Sequence, residues 1–171
     1  MMNGRVFNLK LKSAYFAGGC FWGVEYYFEK LNGVSAAISG YMGGKLPNPT
    51  YQDICTGTTG HLEVVKVVYD PKVITYDTLV KLFFEIHDPT QTNGQGPDIG
   101  SQYLSAIFYE NENEKNISIE LINILKDKGY EVITKLISSN ETPFFEAEEY
   151  HQDYYFVHNK MPYCHTYIKR F

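Results

Sequence analysis

The chemistry on offer in this chain begins with one thiol. In "GGCFWG", residues 18–23, Cys20 follows two glycines and precedes a Phe-Trp pair. From there Phe21, Val24, Phe28 and Leu31 recur with a helical period. A thiol at a strand-to-helix junction meets unpaired backbone N–H groups and the positive end of the helix dipole. That position favours thiolate and can draw the pKa well below the ~8.5 of a free cysteine. Glycines beside it permit tight turns and close approach of a ligand to the backbone. The other reading of Cys20 is a small buried hydrophobe at a turn.

Glu63 is the second unusual residue. In "HLEVVKVVYDP", alternation puts Glu63 on the face of Val65, Val67 and Tyr69, with Lys66 opposite. A carboxyl on an apolar face loses hydration, so its pKa rises and it can hold a proton for general-acid work. A strand-end glutamate that reaches solvent is the plainer alternative. Tyr41, Tyr51 and Tyr103, with Asp98, could give hydroxyl donors to a polar substrate oxygen, although in a chain with 15 tyrosines each alone also reads as packing. The run "EEYHQDYYFVHNKMPYCH" holds His151, His158, Cys164 and His165. Its spacing fits no zinc pattern and there is no Cys-x-x-Cys, so no metal is expected. Cys164 lies seven residues from the last one, Phe171, on a tail expected to be mobile from about residue 159. A thiol on such a tail can reach another and form a reversible disulfide.

Along the chain, short strands alternate with helices. Strands are predicted at 14–17, 34–39, 62–69, 103–109 and 130–137. Helices are predicted at 21–31, from Tyr76 to His87, over 112–127 and near 144–158. Gly40 to Gly60 and Asp88 to Gln102 stay unassigned, and long Gly-, Pro- and Tyr-containing loops in a compact domain are usually functional or disordered. Interleaved elements imply an α/β or α+β layered fold. With 171 residues, no repeat and no linker, one catalytic domain over 1–171 is expected.

A net charge of −5 without any basic run argues against nucleic acid and anionic membranes as partners. No signal peptide and no apolar run near the ~20 residues of a membrane span is visible, so the expected place is the cytoplasm. Three scattered cysteines do not make a secreted disulfide framework. Without a secretory signal, the sequons at Asn116 and Asn140 read as chance.

With Cys20 and Glu63 as anchors, the sequence resembles the A-type peptide methionine sulfoxide reductases over nearly its whole length. "GCFWG" at 19–23 is similar to that family's active-site signature. "GYMGG" at 40–44, "NPTY" at 48–51, "TGHLEVV" at 59–65, "HDPTQ" at 87–91, "GPDIGSQY" at 96–103 and "AEEYHQDY" at 147–154 follow in the family's order.

The resemblance implies a two-layer plait, a mixed sheet with packed helices around a ferredoxin-like core. It implies thiol-dependent reduction of methionine S-sulfoxide, free or in peptides and proteins, as repair of oxidised protein. Cys20 would be the nucleophile and Glu63 the acid that protonates the sulfoxide oxygen. Tyr51 and Tyr103 would hydrogen-bond that oxygen, Asp98 would order the pocket, and Phe21 and Trp22 would wall in the S-methyl group. Cys164 would resolve the Cys20 sulfenic acid into a disulfide, which thioredoxin would reduce, with no metal or organic cofactor, in a monomer.

The sequence departs from the family's pattern twice. "NKMPYCH" at 159–165 lacks the glycine usual before the resolving cysteine, and Leu104 stands where arginine is usual. Cys55 has no redox part and reads as structural. Two other functions compete: a general thiol–disulfide oxidoreductase, which needs no acid and no methyl pocket, and a non-catalytic module binding methionine peptides through Phe21 and Trp22.

Overall fold

β-Branched and aromatic runs form the strands of one mixed sheet in the computed structural model, which describes residues 10–171. In chain order the elements are β1 (Lys12–Gly18), α1 (Phe21–Glu29), β2 (Val34–Met42), α2 (Tyr51–Cys55), β3 (Leu62–Tyr69), α3 (Tyr76–Ile86), β4 (Gly94–Gln95), β5 (Asp98–Ile99), β6 (Ser105–Tyr109), α4 (Glu112–Asp127), β7 (Lys135–Ser138), β8 (Phe145–Glu146) and α5 (Tyr154–Val157).

The six-stranded sheet runs β7-β6-β1-β3-β2-β8, and β4 pairs with β5 in a separate hairpin. β1 and β2 flank β3 and are both antiparallel to it; β3 and β6 likewise flank β1. Two split βαβ units therefore interlock, β1-α1-β2 and β3-α3-β6, which is the ferredoxin-like arrangement. β7 joins β6 in parallel through α4, and β8 adds an antiparallel edge to β2.

The helices bury one face of the sheet. Phe16 of β1 stacks on Phe28 of α1 and on Phe83 of α3, with ring centroids 5.0 and 5.2 Å apart. Val65, Val67 and Ile107 join them in the main core, and Leu121 and Leu125 of α4 close it. Rings of this size contribute most of the burial free energy of such a layer. Ala17, Met42, Val64, Ala106 and Phe108 form a smaller cluster on the other face, beneath Phe144. Glu63 shares the helix-side face of β3 with Val65, Val67 and Tyr69, as alternation requires. β1 pairs with β3 as far as Phe16 and Val65, so two residues further along each strand the Gly18 end of β1 and Glu63 lie at one end of the sheet.

Most boundaries fall within a residue or two of the sequence reading. Over 144–158 there is no single helix. Phe145 and Glu146 pair with Tyr41 and Gly40 of β2, Glu149–His151 makes one 3-10 turn, and Asp153 takes a left-handed φ of 52° before the four-residue α5. Aromatics at helical spacing misled here, because the long-range ladder to β2 outweighs local period. The strand predicted at 130–137 begins only at Lys135. Both unassigned loops contain structure, α2 in the first and the β4–β5 hairpin in the second.

The tail returns to α3. Ile168 N donates to the Glu85 carbonyl (2.7 Å), Arg170 N to Glu85 Oε2 (3.0 Å) and Arg170 Nη1 to the Phe84 carbonyl (2.8 Å). Among the described residues, no helix is long and apolar enough to cross a membrane.

Candidate active site

β1 ends where the chain must turn sharply into α1. Gly19 takes φ +92°, and a Cβ there would overlap the side chain of Gln95, which is itself held by the backbone of Asp88 at both ends of its amide. Cys20 follows as the N-cap of α1, 6% exposed. The first free N–H of the helix, that of Phe21, donates to Glu63 Oε1 at 3.2 Å. Helix start and buried carboxyl are thus one unit: the orphan donor finds the acid from β3.

Glu63 is 2% exposed, and its Oε2 is buried without a partner in the protein. Burial pushes this carboxyl up to about 8, reinforced by Asp98 and Cys164 and opposed by the Phe21 N–H. At neutral pH it holds a proton, and the unpartnered oxygen is free to deliver it.

Glu63 lines a pocket of about 180 Å³ with Cys20, Phe21, Trp22, Tyr51, Asp98, Tyr103 and Tyr163. Of the candidate catalytic and substrate-binding residues, all but Tyr41 and Cys164 are on that wall, and Cys164 adjoins it: its Sγ, the Cys20 Sγ and an Asp98 carboxylate oxygen all lie within 4.8 Å of one another. Tyr51 is the first residue of α2, which a reciprocal Thr50–Asp53 capping box starts, and Tyr103 ends a 3-10 turn. Burial holds both phenols above their usual range, so they present O–H donors to the pocket. Tyr41 does not line it; its hydroxyl donates to Glu148 at 2.9 Å.

Helix start does not make Cys20 an acidic thiol. Its hydrogen bond with Cys164 raises it well above the ordinary thiol range, burial and the Glu63 charge add to this, and the Trp22 N–H only partly opposes them. The dipole argument from sequence omitted this tertiary burial. Cys164 moves the other way, to about 6, through the same hydrogen bond and through His165, against its own burial. Of the two sulfurs, the one on the tail carries the charge at rest.

Five residues to which the sequence reading gave no place in the site complete it: Tyr154, His151, Glu148, Tyr163 and His165. Trp22 lies flat on Tyr154, with centroids 3.6 Å apart, and its Nε1–H donates to His151 Nδ1 at 3.0 Å. The His151 ring also packs on Phe21 and Tyr51. Glu148 accepts from Tyr51 N (3.1 Å) as well as from Tyr41, tying α2 to β2. Tyr163 lines the pocket and donates to Asp98 Oδ1 at 3.3 Å. His165 Nδ1 lies 3.1 Å from Cys164 Sγ. Glu148 and His151 stood in the quoted "AEEYHQDY" motif, but a helix assigned over 144–158 hid their direction. Of the histidines in that run, His151 Nδ1 accepts from Trp22 and His165 Nδ1 lies against Cys164. Cys55 is exposed and free.

A family model described as peptide methionine sulfoxide reductase matches residues 12–171. The peptide methionine sulfoxide reductase of Sulfolobus acidocaldarius is 49% identical over 155 residues, covering 90% of this chain and 87% of that protein. Mxr1 of Saccharomyces cerevisiae in its reduced form superposes with a TM-score of 0.82 at 36% identity, covering 94% of this chain and 93% of its own. The same yeast protein in complex with Trx2 gives 0.60 at 27% identity, covering 96% and 93%.

Proposed function

The chain belongs to the peptide methionine sulfoxide reductase family, and on that premise we propose that its pocket reduces the S epimer of methionine sulfoxide, free or in peptides and proteins, with Cys20 as nucleophile and Glu63 as acid. The observation that carries the reading is Glu63: a buried carboxyl that keeps its proton at neutral pH, with one oxygen unpartnered, in the wall of the pocket that Cys20 also lines.

A sulfoxide sulfur is a poor electrophile until its oxygen gains a proton. With the methyl group against Phe21 and Trp22, the oxygen meets Glu63 and the hydroxyls of Tyr51 and Tyr103, donors fixed in a dry site before reaction begins. Glu63 gives its proton to the oxygen as Cys20 Sγ attacks sulfur. Cys20 must shed its own proton, and the Cys164 thiolate beside it is placed to accept. Oxygen passes to Cys20, leaving the thioether and a sulfenic acid; two electrons have moved from cysteine to substrate sulfur. Cys164 then displaces hydroxide to give the Cys20–Cys164 disulfide and water. Pro162 and the missing glycine do not keep the second thiol away, since the sulfurs are already neighbours.

A dithiol protein of the thioredoxin type restores both thiols by exchange, a role suited to the partner of the yeast relative. Both sulfurs of the Cys20, Asp98, Cys164 cluster are consumed in this cycle, so an ion held there would block it. We place the protein in the cytoplasm as a monomer of one catalytic domain, with a mobile tail from about residue 159 that is tied back to α3 at Ile168 and Arg170. A general thiol–disulfide oxidoreductase or a methionine-peptide binding module would leave the buried acid without work.

Glu63→Gln tests the reading. It keeps the shape and removes the proton, so single-turnover methionine release should slow by roughly 10²–10⁴-fold. The wild-type rate should fall as pH rises through about 8, where Glu63 loses its proton, and the variant should lack that limb. A variant that keeps the wild-type rate and pH profile rules Glu63 out as the acid.

A further inference from the structure

His165 bridges the two chain segments that bring the thiols together. Its Nε2 lies 2.6 Å from the Gly18 carbonyl, a buried contact in which oxygen can only accept. One ring proton is therefore held on Nε2, so Nδ1, 3.1 Å from Cys164 Sγ, is the nitrogen that accepts from the Cys164 thiol and donates to its thiolate. The ring is 3% exposed and lies against Gly23 of α1, where an added Cβ would fall inside the radius of Nδ1. Gly23, the last glycine of "GCFWG", is in a helix and not at a turn; its missing side chain leaves room for this imidazole.

We propose that His165 is the general base of the resolving step, taking the Cys164 proton at Nδ1 while Nε2–H stays locked on the Gly18 carbonyl. This rests on Cys164 being the resolving thiol. The Cys164 thiolate attacks Cys20 Sγ, the S–O bond breaks, and hydroxide leaves. The proton first removed to Nδ1 balances that hydroxide as water. Sulfenic sulfur is reduced, thiolate sulfur is oxidised, and no outside reagent enters.

The other titratable groups facing this pair are Cys20 at the head of α1, Glu63 on β3, Asp98 on β5, and Tyr155 and Tyr163 beside the tail; all of these favour a protonated Cys164 except Cys20, whose S–H donates to it. His87, at the end of α3, is buried and neutral, its pKa lowered to about 3 mainly by burial. Among the described residues, His165 is the base at hydrogen-bond distance from the Cys164 sulfur.

The test is His165→Gln, whose amide N–H can still bond the Gly18 carbonyl but offers no ring nitrogen to sulfur. Reduced protein, freed of reductant, is mixed with one equivalent of methionine S-sulfoxide from pH 6.5 to 9.5, and methionine release and the Cys20–Cys164 link are quenched and counted separately. In wild type the disulfide should follow methionine release without a measurable lag across this range, whatever the pH dependence of the release itself. In the variant, disulfide formation should be slowed by up to about 100-fold at pH 6.5, the thiolate fraction of a ~8.5 thiol, and should recover towards wild type by pH 9.5. Sulfenic acid on Cys20, captured by a cyclic diketone, should accumulate in between.

A wild-type rate at pH 6.5, or a loss that is the same at every pH, overturns the proposal, the second showing a purely structural ring. If wild type releases methionine but makes no Cys20–Cys164 link, the resolving assignment fails and this base with it; if it releases none, the reductase reading itself fails. Should His165→Gln not fold, iodoacetamide alkylation of Cys164 in the Cys20→Ser, Cys55→Ser protein decides: an inflection below that of a free thiol supports the base, and one at or above it refutes it.

Discussion

Cys20 caps α1 and yet keeps its proton more firmly than a free cysteine, because burial, a shared hydrogen bond with Cys164 and the nearby Glu63 outweigh a single N–H of the helix start. The consequence is a resting site in which nucleophile and acid are both protonated and inert until substrate arrives. Glu63 was legible in the sequence, since alternation along one strand fixes its face and an apolar face dictates a raised pKa. The sign of the Cys20 shift was not, because it depends on a tail 144 residues away in sequence. Trp22, the only tryptophan, owes its pose to His151 and Tyr154 and not to its neighbours in "GCFWG". Trp22→Ala should cost the methyl group on the order of 1 kcal/mol of contact and raise KM for methionine sulfoxide five- to tenfold, roughly, with a smaller change in kcat. Steady-state kinetics would show it, and an unchanged KM would remove Trp22 from the methyl wall.

Elements whose signals are local were read closely: β3 and α4 begin and end where β-branched runs and helical period say they should. β8 and the 3-10 turn after it were not, since Phe145, Tyr150, Tyr154 and Val157 at helical spacing carry a local pattern while the structure answers to pairing with β2. That pairing positions Glu148 and His151 behind Tyr51 and Trp22. Gly40 is the contact point; a Cβ there would overlap the Phe144 ring and the Phe145 carbonyl. Gly40→Ala should therefore destabilise the fold by about 1–3 kcal/mol, as overpacking does, and lower kcat/KM as the 145–154 segment shifts. Urea denaturation reads the first and initial rates the second; stability within about 0.5 kcal/mol of wild type would mean that the edge adjusts freely.

Across the whole molecule, the interlocked βαβ units place the end of β1, the start of β3 and two loop insertions at one end of the sheet, and the tail crosses that end before tying back to α3. Interleaved strands and helices implied such a layered plait. Strand order could not be read, because pairing across sequence separations of dozens of residues leaves no local trace. The central claim is that this one end of the sheet performs a two-thiol reduction. It is tested most directly by one turnover of reduced protein, without reductant, on the pure S and R epimers of methionine sulfoxide, with thiols counted and peptides mapped. The account predicts one methionine per chain from the S epimer, loss of two thiols and a Cys20–Cys164 link, with neither methionine nor thiol loss from the R epimer. Methionine formed without thiol loss, or formed equally by Cys20→Ser protein, would contradict it.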